Sequence, residues 1–168
     1  MIGYKSYDGN KIKKEDILNK HFHLDGNIKF HKRGYHFCER MEDTFRYSGG
    51  ISNPNMIIAE VEASGIIEEG EDEYYGYYGM YATSDLYVRR ILTREEIIEY
   101  FLNQRDKLRV KRFLQTFKLN EIETELFKLR FIDNDFITKI IEYYQENKKD
   151  AFKEKRGKRY ENKKQLKK

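Results

Sequence analysis

Apolar and polar positions alternate with a period of two over the first half of the chain and change to a helical period after residue 92. Ile2–Tyr7 reads as a short strand, and Asp8-Gly9-Asn10 turns the chain, since Gly and Asn tolerate positive φ. Lys14–Leu18 is a weak helix or loop. His21-Phe22-His23-Leu24 alternates and runs into Asp25-Gly26-Asn27, which is hairpin chemistry. Gly34–Cys38 is a further strand, with Tyr35 and Phe37 on one face and His36 and Cys38 on the other. Glu39–Tyr47 has Met41 and Phe45 at helical spacing and ends at Ser48-Gly49-Gly50. The strongest strand signal is Met56–Ile67, β-branched and alternating Ala59, Val61, Ala63 against Glu60, Glu62, Ser64. A loop is expected over Glu68–Tyr81, then a last strand over Ala82–Leu92.

From Thr93 the pattern is helical. Thr93 with Glu96, and Asn120 with Glu123, have capping-box spacing. Ile97, Ile98, Phe101 and Leu102 form one apolar face. Leu108, Phe113, Leu114 and Phe117 continue it, and Ile122, Leu126, Phe127 and Leu129 form the next. Asp133 is placed to cap a last helix bearing Phe136, Ile137, Ile140, Ile141 and Tyr144. The pattern predicts an α+β fold: a small, mostly antiparallel sheet with short helices over residues 1–92, then a helical region over 93–147. Residues 148–168 hold too little apolar surface to offset the entropy of ordering and read as a mobile basic tail.

Composition adds polarity and a charge gradient. Of 168 residues, 37% are charged, yet 14 Tyr and 11 Phe supply core material. Residues 1–100 carry 13 basic and 18 acidic side chains, and residues 101–168 carry 20 and 11. Such asymmetry is common in partner-binding proteins. No apolar run approaches the roughly 18 residues of a membrane span, and no signal-peptide core stands at the start. A single Cys and no export signal point to the cytosol of a host cell, without disulfides.

Candidate chemistry is sparse. His21, His23, His31, His36 and Cys38 lack the paired-Cys spacing of a zinc knuckle, so no metal is expected. Cys38 reads as a small buried hydrophobe rather than a nucleophile, although His36, two residues away, would lie beside it on the same strand face. Glu60 and Glu62 read as a solvated strand face. There is no Walker loop, dinucleotide fingerprint, HExxH or nucleophile elbow, and no cofactor is implied. Two stretches suit binding. In the loop, five acids in six residues (Glu68, Glu69, Glu71, Asp72, Glu73) precede five tyrosines interleaved with glycine, the composition of recognition loops. The partner-binding candidates are Glu71, Asp72, Glu73, Tyr74, Tyr75, Tyr77 and Tyr78. In the tail, Lys153, Lys155, Arg156, Lys158, Arg159, Lys163 and Lys164 have the density that neutralises nucleic-acid phosphates.

GYKSYD, KRGYHFCERMEDTFRY, IIAEVEASGIIE and ATSDLYVRRILTREE together resemble a family of small proteins from phages, giant viruses and bacterial mobile elements that carry a "GFHFC" box, a short helix and an "AEVEALG"-like strand. The resemblance covers about residues 1–98. The family has no settled activity; with the polarised charge and the Tyr-rich loop, the resemblance leads us to expect a non-enzymatic accessory protein that binds a host protein or ribonucleoprotein, such as an RNA-guided CRISPR nuclease of a host defence system. More distantly, the order of pieces resembles the ADP-ribosyltransferase core. That likeness places Tyr4-Lys5-Ser6 at the NAD-binding opening strand and Gly34–Cys38 at the core's second strand. Lys5 stands where the core has Arg or His, and Ala82–Leu92 lacks its catalytic Glu. These departures imply a binding module rather than a working transferase.

Overall fold

The structure, a computed structural model, describes residues 1–47, 53–72 and 77–146, with positions 71–72 and 77–78 described as backbone. The chain divides into two compact units, Met1–Tyr100 and Phe101–Lys168. The division falls inside a helix.

The first unit holds five antiparallel strands: β1 (Ile2–Asp8), β2 (His21–His23), β3 (Tyr35–Cys38), β4 (Met56–Asp72) and β5 (Tyr77–Ile91). Their order is β2-β5-β3-β1-β4, and β4 pairs again with β5, so β1, β4, β5 and β3 close a ring. The small antiparallel sheet with short helices, followed by a helical region, is the fold class that the sequence predicts. Short helix α1 (Met41–Thr44) follows β3, within the longer span expected, and Ser6 Oγ donates to the Thr44 carbonyl at 2.9 Å to tie it to β1.

The long strands depart from expectation. Glu68–Tyr81 is not simply a loop: β4 runs on to Asp72 and β5 starts at Tyr77, with Gly70 opposite Met80 and Asp72 opposite Tyr77. Acids depress strand propensity, but pairing along the hairpin overrides it. Residues 73–76 lie outside the described residues. His21–His23 does not form a hairpin with the chain after it. It pairs with Tyr87–Asp85 of β5, where His23 also bonds the Asp85 carboxylate. Gly65 sits at φ +70° within a bulge between Ser64 and Ile67, where Ser84 Oγ takes up the Ile66 N–H at 2.9 Å.

One face of the ring's strands carries a buried apolar cluster. Ala59, Val61 and Ala63 alternate inward as predicted and meet Phe37, Leu86 and Val88. Small residues on β4 make room for Phe37, and Gly3 makes room for its ring. A Cβ on Gly3 would lie 2.6 Å from Phe37 Cδ2 and 2.7 Å from the Cys38 carbonyl oxygen.

The helices are α2 (Arg94–Leu102), α3 (Lys107–Thr116), α4 (Glu121–Arg130) and α5 (Asp135–Ile141), the last running into a π turn over Glu142–Glu146. Both capping boxes form. Glu96 Oε2 accepts from Thr93 N at 2.7 Å and Thr93 Oγ1 from Glu96 N at 3.2 Å, and Asn120 and Glu123 do the same. Asn134, not Asp133, caps α5, its side chain accepting from Ile137 N at 3.2 Å. In the second unit Phe113 stacks on Phe101, Phe117 and Phe127, with centroids 4.0, 4.9 and 5.6 Å away. Of the apolar residues expected on α4, only Phe127 turns to this cluster. Ile122, Leu126 and Leu129 are exposed, because Glu123 and Thr124 take the inward positions beside it. Among the described residues no helix is long and apolar enough to cross a membrane.

Replacing Gly3 with Ala is expected to destabilise the protein by about 1–3 kcal/mol, since one of the two clashing groups is backbone and cannot rotate away. Chemical denaturation of the variant checks this. A midpoint equal to that of the parent protein would contradict the packing of Phe37 on Gly3.

Candidate functional site

The β1–β3 seam is the weak side of the ring. It consists of one residue pair, Tyr4 opposite Cys38. A continued ladder would set Ser6 opposite His36. Instead the Lys5 ammonium donates to the His36 carbonyl at 2.5 Å, and Ser6 turns its hydroxyl to α1. Where the strands part, a cavity of about 340 Å³ opens. Tyr4, Lys5 and Ser6 of β1 line it with His36, Phe37 and Cys38 of β3, together with His31, Thr44, Tyr47 and Met80. Residues of both strand faces reach it because it enters the gap between the strands.

Its titratable groups are shifted by burial and by one another. Burial lowers the Lys5 pKa to about 8. His36 is held below the ordinary histidine range by burial, then by the Lys5 and His31 charges. Its Nε2 accepts the His31 backbone N–H at 3.0 Å, which leaves Nδ1 as the protonated nitrogen of the neutral ring. His31 reaches this position from a turn in which it adopts φ +62°. Cys38 is buried, as its sequence context predicts, and burial followed by the Asp43 charge pushes its thiol up to about 12. A thiol so shifted is neutral at physiological pH and is no nucleophile.

A second cluster lies on β2 and β5. His21 and His23 share a face, as their spacing predicts, and both reach Asp85. His23 Nδ1 is 2.6 Å from Asp85 Oδ1, its Nε2 is 2.9 Å from Asp25 Oδ1, and His21 Nε2 is 3.4 Å from Asp85 Oδ1. Hydrogen bonding to Asp85 and then Asp25 raises the His23 pKa. Ser84 Oγ bonds Asp85 Oδ2 at 2.6 Å rather than a histidine, so the group lacks the serine–base contact of a hydrolase. Among the described residues no set of three or more His, Cys, Asp or Glu is arranged to hold a metal. Glu60 is not simply a solvated acid: Arg90 lies 3.5 Å away and Arg89 4.0 Å.

Of the partner-binding candidates, Glu71 and Asp72 end β4 and Tyr77 and Tyr78 begin β5, at the far end of the hairpin. Glu73, Tyr74 and Tyr75 lie outside the described residues, as do Lys153, Lys155, Arg156, Lys158, Arg159, Lys163 and Lys164 of the tail. Glu69 is exposed and, with Glu39, raises the Tyr81 pKa after burial. Glu68 Oε2 accepts the Phe30 N–H at 2.5 Å, and the Phe30 ring covers Gly70. Sequence reasoning placed His36 and Cys38 together but missed Tyr4, Ser6, Tyr47 and Met80 as their neighbours. The alternation along β1 puts Tyr4 and Ser6 on one face, but nothing local in the sequence brings that face to Cys38.

A family described as a domain of unknown function (DUF7666) matches residues 1–76. That span holds β1 to β4 and every cavity-lining residue except Met80. No curated protein and no solved structure matches the chain.

Two outcomes are expected. In an NMR titration of the imidazole C–H resonances, His23 titrates above and His36 below the ordinary value of about 6.5. The raised His23 pKa contributes stability that is present below the unfolded value and lost as pH rises through the folded one. The lowered His36 pKa contributes stability that is present above the unfolded value and lost as pH falls through the folded one. Coincident titration of the two rings would contradict the assignment. Separately, Cys38 is expected to react with a thiol reagent on the order of a thousandfold more slowly in the native protein than in denaturant, since its pKa rises from 9.0 to about 12. Equal rates would place the thiol at the surface.

Proposed function

We propose that the chain is a non-enzymatic accessory protein of a phage or mobile element, acting in the host cytosol by binding a macromolecular partner through the outer half of the β4–β5 hairpin. One observation carries the reading. β1 pairs with β4 only as far as Glu62, and from Ser64 to Asp72 the described strand has a neighbour only on its β5 side. Such an edge can accept an extended segment from a partner. Ile66 and Ile67 are 54% and 38% exposed along it, and Glu69 is exposed beside them, next to the sequence acids Glu71 to Glu73. The acids repel a second copy of the same edge and favour a basic partner, so charge supplies selectivity as well as attraction. A host defence complex such as an RNA-guided nuclease has basic grooves of this kind. The transferase reading is less well supported, because among the described residues no carboxylate lines the cavity beside Lys5 and His36.

The test is capture of partners from host lysate with the tagged chain, with and without nuclease treatment. A single protein recovered in comparable amount after nuclease is expected. Glu69→Lys combined with Glu71→Lys and Asp72→Lys is expected to reduce recovery at least about tenfold. Undiminished recovery by the triple variant would move the binding surface elsewhere. A diffuse set of proteins lost on nuclease treatment would favour nucleic-acid binding by the basic tail.

A further inference from the structure

The cavity between β1 and β3 has a chemistry independent of the hairpin. Lys5 brings an ammonium into it, and among the described residues no carboxylate is paired with that ammonium. Its partners are the His36 carbonyl oxygen at 2.5 Å and the face of the Tyr7 ring, with the ammonium 5.6 Å from the centroid. One carbonyl satisfies one of three N–H donors. Cys38 offers no counter-charge, because its thiol stays neutral. His36 and His31, the other ionisable groups of the lining besides the tyrosines, can add positive charge but not negative. A cation drawn out of water without a counter-ion is costly, and proteins normally pair it.

The rest of the lining is apolar or aromatic with hydroxyls: Tyr4, Phe37, Tyr47 and Met80, with Ser6 and Thr44. A volume of about 340 Å³ falls in the range of small-molecule sites. We infer that this cavity binds a small organic anion, a carboxylate or phosphate ester attached to an aromatic or apolar group, with the Lys5 ammonium as its counter-ion. The anionic end sits at Lys5, where the strands part, and the ring lies among Tyr4, Phe37, Tyr47 and Met80. Ser6 is already engaged with Thr44, so Lys5 is the group that sets the charge of the ligand.

Phenyl phosphate is the probe, with phenol as its neutral counterpart. The full chain, reductively methylated with ¹³C, reports each lysine by NMR, and Lys5 is identified as the signal missing from Lys5→Met. Phenyl phosphate is expected to raise the titration midpoint of that signal and the thermal midpoint of the protein, and phenol is expected to move neither. Lys5→Met is expected to weaken phenyl phosphate binding about tenfold or more, the loss typical of a charged hydrogen-bond partner. Lys5→Arg, which keeps the charge, is expected to retain most of it. If Lys5→Met does not fold, Lys5→Arg identifies the signal and the parent protein decides. A Lys5 midpoint unmoved by saturating phenyl phosphate, equal binding by Lys5→Met, or equal effects of phenol and phenyl phosphate would each overturn the inference.

Discussion

The seam between β1 and β3 is the constraint on which the first unit depends. A ring of four strands needs every neighbour joined, and here one junction is a single residue pair. Three features make it sufficient. Gly3 lets the Phe37 ring lie on the β1 backbone, Lys5 takes up the carbonyl that the interrupted ladder would leave open, and Ser6 anchors α1 across the gap. An unpaired backbone carbonyl in such a place would cost about as much as a lost hydrogen bond, so a side-chain donor there is a structural requirement before it is anything else. The cavity is the space left where regular pairing stops.

The hairpin and the cavity therefore have a common origin. β4 serves two neighbours along different parts of its length, β1 over its first part and β5 over most of the strand. The strand is longer than β1, so the part beyond Glu62 projects past it. β3 covers only Met80 to Thr83 of β5, which leaves the far end of the hairpin as a two-stranded ribbon. Unequal strand lengths thus produce both an open edge and an open seam. Ile66, Ile67 and Glu69 are exposed along the edge, and Lys5, His31 and His36 lie at the seam.

Much of this was legible in the sequence. Alternation of Ala59, Val61 and Ala63 gave the core face of β4, and cap spacings located α2 and α4. The full length of the hairpin was not legible, because five acids and several glycines mask a strand whose pairing is decided by its neighbour. The partner of β2 was not legible either. A turn-like Asp25-Gly26-Asn27 suggested a local hairpin, whereas His21 to His23 bond to a strand some 60 residues away. On α4 the apolar pattern was real, but three of its members face outward. The cavity was half legible: His36 and Cys38 share a face by parity, but the approach of β1 to β3 is a long-range pairing that no local pattern encodes.

The register of the ring also constrains how the chain can reach it. Partners on the β4–β5 hairpin come together by closing the short stretch between the two strands. Pairing β1 with β4 joins residues 48 to 60 positions apart, from Asp8 with Met56 to Ile2 with Glu62. Closing a longer loop costs more chain entropy, though only slowly more, and such pairings form late. By this measure the hairpin is the template of the four-strand ring, β3 joins it across 42 to 48 positions, and β1 closes the ring across the longest separation of the four. It fastens to β4 by seven pairs and to β3 by one, so the side of the ring completed last is also the side that parts most readily.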